Sequence, residues 1–151
     1  MNARTLAHSR AASTLAQVAW VVLGGALGTL ARYGVGMAIG DVAGLPLGIF
    51  VINVVGACAL GMLLEALALR GPNSGPRRTM RLLLGTGVLG GFTTYSLLAT
   101  DVAELLLHGN VLGGLGYGLA TLVCGGAATW LGIVLARAMS RTRVTAEGST
   151  K

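Results

Sequence analysis

The chain has 151 residues, which is room for one domain, and 54% of them are apolar while only 11% are charged. Such a composition excludes an ordinary soluble domain. The net charge is +6, but the basic residues flank apolar segments instead of forming one patch, so no nucleic-acid partner is predicted.

Four long uncharged segments predict four transmembrane helices, because each can hold the roughly 20 residues that cross the hydrocarbon core of a bilayer. They are Ala11–Ala31, Val42–Leu64, Leu82–Thr100 and Leu105–Ala136. In the last, His108-Gly109-Asn110 is interpreted as the turn before helix 4, which begins near Val111. The predicted fold is an all-α membrane protein with its four-helix domain at residues 14–139.

The two ends of the chain are predicted to be disordered tails. Residues 1–13 carry Arg4 and Arg10 before an apolar run, as a signal peptide does. That run is too long for a signal peptide, and no clean cleavage site precedes a soluble domain, so we interpret the segment as a cytoplasmic tail. Residues 140–151 are polar and lack apolar periodicity, which predicts a second tail.

Charge is distributed unequally between the two sides of the predicted bundle. Basic residues flank the start of helix 1, the loop between helices 2 and 3, and the end of helix 4, which four crossings place on one side. They are Arg4, Arg10, Arg70, Arg77, Arg78, Arg81, Arg137, Arg141, Arg143 and Lys151. The opposite loops carry Asp41, Asp101 and Glu104 near their ends, without Lys or Arg. By the positive-inside rule, both termini are predicted to be cytoplasmic in a multi-pass protein of the plasma membrane.

Helix 1 carries Gly24 and Gly28 four residues apart, a spacing that lets another helix approach closely. Arg32 follows near the outer end of this helix. Its side chain either snorkels to the membrane interface or holds a vestibule that attracts an anion. A glycine-rich connection, Gly34–Pro46, then leads to helix 2, which is predicted from about Leu47 to Leu69.

Polar side chains inside the apolar helices 2 and 4 are candidate site residues. Asn53 lies in mid-helix, where it either bonds a neighbouring helix or lines a pore with its two N–H donors. On helix 4, Tyr117, Thr121, Gly125 and Thr129 recur every fourth residue and share one face. Their hydroxyls either bond back to their own helix or form a ladder of donors beside a conduction path.

The most informative segment is Gly85–Ser96, in the middle of the third apolar window. Its sequence, Gly-Thr-Gly-Val-Leu-Gly-Gly-Phe-Thr-Thr-Tyr-Ser, is rich in poor helix formers. A helix break at mid-membrane frees backbone groups that protein, water or an ion must satisfy. The segment therefore predicts a broken helix 3 and an ion site.

The sequence predicts that the protein is not an enzyme. The two histidines lie in a tail and a loop, and the membrane segments contain no paired carboxylates. The glycines do not follow a soluble strand, as a nucleotide-binding loop requires. Cys58 and Cys124 have no metal-like partner spacing and are interpreted as packing residues.

Together, these motifs resemble those of the CrcB/Fluc family of fluoride channels. The matching pieces are Gly24-Gly-x-x-Gly28-x-x-x-Arg32-Tyr33, Pro46-x-Gly48-x-x-x-x-Asn53-x-x-Gly56, Gly90-Gly-Phe-Thr-Thr-Tyr-Ser96 and the row that begins at Tyr117. They occur in the family's order and cover nearly all of the predicted membrane domain. The glycine doublets alone are weak signals, whereas the break together with an upstream Asn is specific.

The resemblance implies an antiparallel dimer of four-helix subunits with two fluoride pathways and passive export that relieves fluoride toxicity. It also implies a structural sodium ion at the dimer interface, held by the backbone carbonyls of Gly90 and Thr93 from each subunit. The resemblance gives Arg32 a vestibule or structural role. The implied fluoride pathway consists of Asn53, Thr94, Tyr95, Ser96, Leu98, Tyr117, Thr121 and Thr129.

Some positions depart from the family's pattern. Tyr95 and Leu98 stand where the family has two phenylalanines; Tyr keeps a ring edge to face an anion, and Leu offers none. Gly125 stands where the family usually has a hydroxyl residue, and Ile49 stands where it has a threonine. Asp101 stands where the family usually has a glutamate. The strong charge bias also disfavours insertion in both orientations. These departures lead to the hypothesis that the chain forms a heterodimer with an oppositely oriented paralogue, in place of a homodimer.

The main alternative is a small four-helix proton-coupled multidrug exporter. Such a transporter needs an acid within a membrane helix, usually the first, where this chain has Arg32 and no acid. Glu65 lies near the cytoplasmic end of helix 2. A non-transporting scaffold protein accounts for the glycine-rich packing but not for the polar break.

Overall fold

The computed structural model describes residues 3–41 and 44–148, with the side chains of residues 14–41 and 44–141. The described chain is built from helices. In chain order they are α1 (Ala3–Ile39), α2 (Leu47–Ala68), α3 (Gly75–Met80), a π-helical segment (Arg81–Leu89), α4 (Gly90–Phe92), α5 (Tyr95–Leu107) and α6 (Val111–Gly148).

Four helical stretches of the described chain are long and apolar enough to cross a membrane, which confirms the predicted fold class. They are Thr14–Ile39 (span 1), Leu47–Ala68 (span 2), Gly75–Leu107 (span 3) and Val111–Arg141 (span 4). Most of their large apolar side chains are exposed at the surface of the bundle. Because an apolar outer surface suits lipid and not water, the chain is a multi-pass membrane protein.

Helix α1 is longer at its outer end than the sequence predicts. The connection to α2 was expected to begin at Gly34, but the helix continues to Ile39. Gly40 and Gly44 then adopt positive φ angles of 62° and 76°, which glycine tolerates because it has no Cβ. The chain therefore turns within a short connection before Leu47.

Both long helices extend into the segments predicted to be tails. The backbone is helical at residues 3–13 and 140–148, so α1 and α6 run past the predicted domain limits. Met1, Asn2 and residues 149–151 lie outside the described residues. The division into two disordered tails and one channel domain stays a prediction.

Glycines allow span 1 to pack directly on the backbone of span 3. A Cβ added to Gly24 would overlap the carbonyl oxygen of Leu83, and one added to Gly28 would overlap that of Val88. This contact confirms the close approach predicted from the spacing of the two glycines. The Thr29 hydroxyl adds a long hydrogen bond to the Gly91 carbonyl at 3.5 Å. Span 3 is thereby held on one side by α1.

The break in span 3 is narrower than the glycine-rich segment that predicts it. Gly85 and Gly87 lie buried in the π-helical segment, and Gly90 is still helical at φ −65° and ψ −35°. The extended residues are Thr93, with φ −76° and ψ 156°, and Thr94, with φ −150° and ψ 118°. A broken third helix is confirmed, but the backbone leaves the helix only at the two threonines.

Candidate ion pathway at the helix break

The side-chain amide of Asn53 pairs with the backbone of Thr94 at the break. Asn53 Nδ2 donates to the Thr94 carbonyl oxygen at 3.0 Å, and the Thr94 amide donates to Asn53 Oδ1 at 2.8 Å. The side chain thus replaces the backbone partners that a continuous helix would supply. Of the two alternatives left open for Asn53, the bond to a neighbouring span is present. The pore-lining role stays a prediction, and one side-chain N–H remains outside this pair.

The Thr94 side chain starts the second half of the broken helix. Its Oγ1 accepts a hydrogen bond from the Leu97 amide at 3.2 Å, which is N-cap geometry for α5. The same oxygen lies 3.2 Å from Ser96 Oγ. Thr94 is buried with 6% of its surface exposed, so these bonds satisfy polar groups that water does not reach freely.

Carbonyls on the upstream side of the break lose their helical donors, and those of Gly90 and Thr93 are two of them. In a continuous α-helix each carbonyl accepts from the amide four residues later. For Gly90 that amide belongs to Thr94, which donates to Asn53 instead. For Thr93 it belongs to Leu97, which donates to the Thr94 hydroxyl. The same two carbonyls were assigned to sodium on the family resemblance, and their oxygens fit a hard cation.

Thr93 is fixed by its own helix and by span 2. Its amide and its hydroxyl both donate to the Leu89 carbonyl oxygen, at 3.0 Å and 2.9 Å. A Cβ added to Gly56 would overlap the Thr93 γ-methyl group. Gly56 therefore makes room for the break one helical turn after Asn53. Sequence analysis noted this glycine only as part of a motif and missed its role of accommodating Thr93.

A groove of about 350 Å³ lies beside the break and is lined by most of the predicted pathway residues. Six of the eight line it: Asn53, Thr94, Tyr95, Leu98, Thr121 and Thr129. Ala57 and Leu60 from span 2 and Gly125 from span 4 complete one apolar wall. Ser96 contacts Thr94 but does not line the groove, and Tyr117 lies nearer the outer end of the bundle. The polar atoms therefore lie along one track between spans 2, 3 and 4.

The hydroxyls of the α6 row donate to their own helix in this structure. Thr121 Oγ1 donates to the Tyr117 carbonyl at 2.8 Å, and Thr129 Oγ1 donates to the Gly125 carbonyl at 2.9 Å. Thr121 is 4% exposed and Thr129 is partly buried. The row thus lies on one face, as its spacing predicts, and the protons of both hydroxyls are engaged by carbonyls of α6.

Tyr95 and Leu98, the two positions that depart from the family's aromatic pair, have opposite environments. Leu98 is buried with 6% exposure, whereas Tyr95 is 78% exposed and extends from the surface of the single subunit. Both nonetheless border the groove. An exposed aromatic ring beside a pathway is available to a second subunit.

The outer end of the bundle holds acidic and basic residues around a separate cavity of about 430 Å³. Arg32, Asp41 and Asp101 are among its lining residues. Tyr117 closes the nearby end of spans 2 and 4, because its hydroxyl donates to the Pro46 carbonyl at 3.0 Å. One oxygen of Asp101, Oδ2, is buried without a hydrogen-bond partner among the described residues. Arg32 shares this cavity with two carboxylates, so both alternatives for Arg32 stay predictions.

Four apolar spans around a polar groove at a broken helix define a multi-pass membrane transport protein. The profile of the family described as "CrcB-like protein, Camphor Resistance (CrcB)" matches residues 19–133. The chain belongs to this family.

Three relatives illustrate the match. The chain is 53% identical over 123 residues to "Fluoride-specific ion channel FluC 2" of Leifsonia xyli, covering 82% of this chain and 85% of the relative. It is 42% identical over 127 residues to FluC 1 of Cutibacterium acnes, covering 83% and 89%. It is 42% identical over 120 residues to FluC of Paracoccus denitrificans, covering 79% and 93%. These relatives are named as channels, which confirms the prediction that the protein is not an enzyme.

Proposed function

We propose that the protein is a fluoride-selective channel that lets fluoride leave the cytoplasm passively. The observation that carries the proposal is the groove in which Asn53 pairs with the broken backbone of Thr94. The names of the relatives point to the same ion. The multidrug exporter is not favoured by any of these observations.

A pathway for fluoride must replace the ion's hydration with closely spaced donors, because burying an unpaired charge is costly. Asn53 has one N–H beyond the one that it donates to Thr94. Thr121 and Thr129 donate to carbonyls of α6, and rotation about the C–O bond redirects such a proton to an anion. A passing fluoride ion competes for these protons, since hydrogen bonds to a charged acceptor are stronger than neutral ones.

The freed carbonyls of Gly90 and Thr93 are the proposed ligands of a structural sodium ion. Each subunit offers these two oxygens, so two subunits that meet at the break offer four. A bound cation supplies positive charge next to the anion pathway and satisfies carbonyls that membrane burial leaves without donors. Within this chain, Asn53 and the Thr94 cap keep the two oxygens free of helical bonds.

An antiparallel dimer is the proposed assembly, because four spans contain no internal inverted repeat and a reversed partner supplies that symmetry. The proposal is supported by Tyr95, because its exposed ring beside the groove leaves an aromatic surface for a partner to cover. The loop charges favour one orientation, with both termini cytoplasmic. A partner in the opposite orientation is therefore proposed to be a different chain, an oppositely oriented paralogue.

Outward transport follows from the driving force and needs no pump. Fluoride enters a cell as neutral HF, dissociates near neutral pH, and is driven outward by the inside-negative membrane potential. The proposed location is the plasma membrane.

Fluoride release from liposomes that contain the full-length chain together with a relative of inverted charge bias tests the proposal. We expect release of fluoride but not of chloride, and a lower rate in protein that was purified and assayed without sodium. Release of both anions at similar rates would contradict a fluoride-selective channel. Equal rates of fluoride release with and without sodium would contradict the proposed sodium site and leave the proposed fluoride channel intact.

Co-expression tests the proposed heterodimer. The chain alone is expected to support little fluoride release, and co-expression with a relative of inverted charge bias is expected to restore it. The replacement Leu98→Phe supplies a missing ring edge and should raise the activity of the chain alone. Robust selective release from the unmodified single chain would reject the heterodimer and leave the channel proposal intact.

The variant Thr121→Val tests whether the α6 hydroxyls contact the ion. The change keeps the shape and removes a proton that already bonds within the helix, so the free energy of unfolding should change little. Fluoride release should nevertheless fall, because a donor along the track is lost. Unchanged release would place the ion away from Thr121.

A further inference from the structure

A groove between the end of α2 and the last turns of span 4 lies at the basic end of the bundle, away from the ion pathway. Its volume is about 150 Å³. It is lined from one side by Met62, Ala66 and Arg70, and from the other by Ala136, Met139 and Ser140. Met62 and Ala66 share one face of α2, and Arg70 follows in the turn after that helix; Ala136 lies three and four positions before Met139 and Ser140 on α6.

The polar atoms that border this groove are suited to an anion. The Arg70 side chain is exposed and makes no hydrogen bond or ion pair with any group that the structure describes. The lining contains no acidic residue. Glu65, on the preceding turn of α2, is engaged by Arg137, whose Nε donates to Glu65 Oε1 at 2.8 Å. The Arg70 guanidinium is therefore not neutralised from within the described bundle.

The apolar atoms of the groove face outward. Met62 is 39% exposed and Met139 is 57% exposed. Both side chains continue the apolar outer surface of spans 2 and 4, which contacts lipid tails in a membrane protein. The groove thus combines the Arg70 guanidinium with two exposed apolar side chains. This combination matches the charged headgroup and the apolar acyl chains of a phospholipid.

We propose that this groove binds the headgroup of an anionic phospholipid, with Arg70 contacting the phosphate and Met62 and Met139 contacting the acyl chains. Basic pockets between helices at a membrane surface have this chemistry. The volume is smaller than the roughly 300–1,000 Å³ of sites that enclose a drug-sized ligand. Only a headgroup fits inside, and the chains lie against the outer surface. The inference rests on the membrane placement of the spans and does not depend on fluoride conduction.

Native mass spectrometry of the full-length chain in detergent tests this site. Phosphatidylglycerol is added in one arm and phosphatidylcholine with the same acyl chains in the other. We expect preferential retention of phosphatidylglycerol and a decrease of about fivefold in Arg70→Gln, the effect of one Arg near an anionic membrane surface. The matched control is Arg81→Gln, because Arg81 is also exposed, its side chain lacks a described partner, and it lies at the same end but outside the groove.

A second variant, Ser140→Leu, fills the groove without a change of charge and should also lower phosphatidylglycerol retention. Circular dichroism of each variant checks that the helices are intact, and Ser140→Leu keeps the test decisive if Arg70→Gln does not fold.

Equal losses of phosphatidylglycerol retention in Arg70→Gln and Arg81→Gln would overturn the site in favour of diffuse electrostatic attraction. Equal retention of both lipids would overturn it as well. So would a loss of dimer signal with unchanged lipid retention in Arg70→Gln, since a second copy would then cover the groove.

Discussion

Spans 3 and 4 are both rich in glycine, but only span 3 is broken. Span 4 contains seven glycines between Gly113 and Gly132 and belongs to one uninterrupted helix, Val111–Gly148. In span 3 the glycines from Gly85 to Gly91 are helical, and the backbone turns extended at Thr93 and Thr94. Glycine content therefore does not decide where a membrane helix breaks.

The difference lies in the hydrogen-bond partners that each span has available. In an apolar membrane, a backbone without partners is costly, so a glycine-rich helix stays helical unless other groups replace its bonds. Asn53 and the Thr94 hydroxyl provide that replacement in span 3. In span 4, Thr121 and Thr129 bond back to the helix that already exists. Side chains with the same chemistry thus support a break in one span and continuity in the other.

The largest expected effect comes from Asn53→Asp, which removes the only side-chain donor to the Thr94 carbonyl among the described residues. The loss of this hydrogen bond costs about 0.5–1.5 kcal/mol, while the carbonyl of the N-cap residue Thr94 still accepts the first bond of α5. The new carboxylate also repels a passing anion. Fluoride release from liposomes should fall by at least about 100-fold.

The control for this charge is Asn110→Asp. Asn110 Oδ1 accepts from the Gly113 amide at 2.9 Å at the start of α6, and Asp serves equally well as an N-cap. This variant should keep most of the fluoride release. If Asn53→Asp retained wild-type release, Asn53 would lie outside the pathway and would not be needed for the break.

The next effect is expected from Gly56→Ala, whose new methyl group overlaps the Thr93 side chain. Overpacking of this kind destabilises by about 1–3 kcal/mol, measured as the free energy of unfolding in mixed detergent. The double variant Gly56→Ala/Thr93→Ser lacks the opposing methyl group and should recover much of the loss. Gly126→Ala in span 4 is the matched control, because nothing lies within 4 Å of an added Cβ there. A double variant as unstable as the single one would show that the contact with Thr93 is not the cause.

A smaller effect is expected from Thr94→Val, which keeps the shape and removes the N-cap of α5. Loss of such a cap costs roughly 1 kcal/mol. Thr100→Val removes a hydroxyl that only bonds back to the Ser96 carbonyl in the same span, and its free energy of unfolding should be near that of the wild type. Equal stability of the two variants would mean that the cap does not hold the break.

The smallest effect is expected from Glu65→Gln, which removes the ion pair between spans 2 and 4. The Arg137 side chain is 60% exposed, so the loss should not exceed about 1 kcal/mol. The break in span 3 has no contact with this pair, and fluoride release should be unchanged. A marked loss of release would indicate that packing of spans 2 and 4 controls the pathway from a distance.

Much of the fold follows from the sequence because membrane burial imposes a simple rule. Uncharged windows of sufficient length predict the four spans, and the bounds of α2 differ from the prediction by one residue. The spacing of Gly24 and Gly28 predicts the close packing on span 3, since both residues must face the same neighbour. The four-residue spacing of Thr121, Gly125 and Thr129 likewise predicts one groove-facing row.

Other features depend on residues far apart in the chain, and no local pattern predicts them. Composition indicates a break somewhere in Gly85–Ser96, but its position is decided by Asn53, which lies 41 residues before Thr94. The contrast between exposed Tyr95 and buried Leu98 depends on how α5 packs. The sequence by itself determines where the chain can cross a bilayer, because hydrophobicity and charge act locally. Tertiary structure alone decides which backbone groups are freed, because that depends on which side chain from another span reaches them.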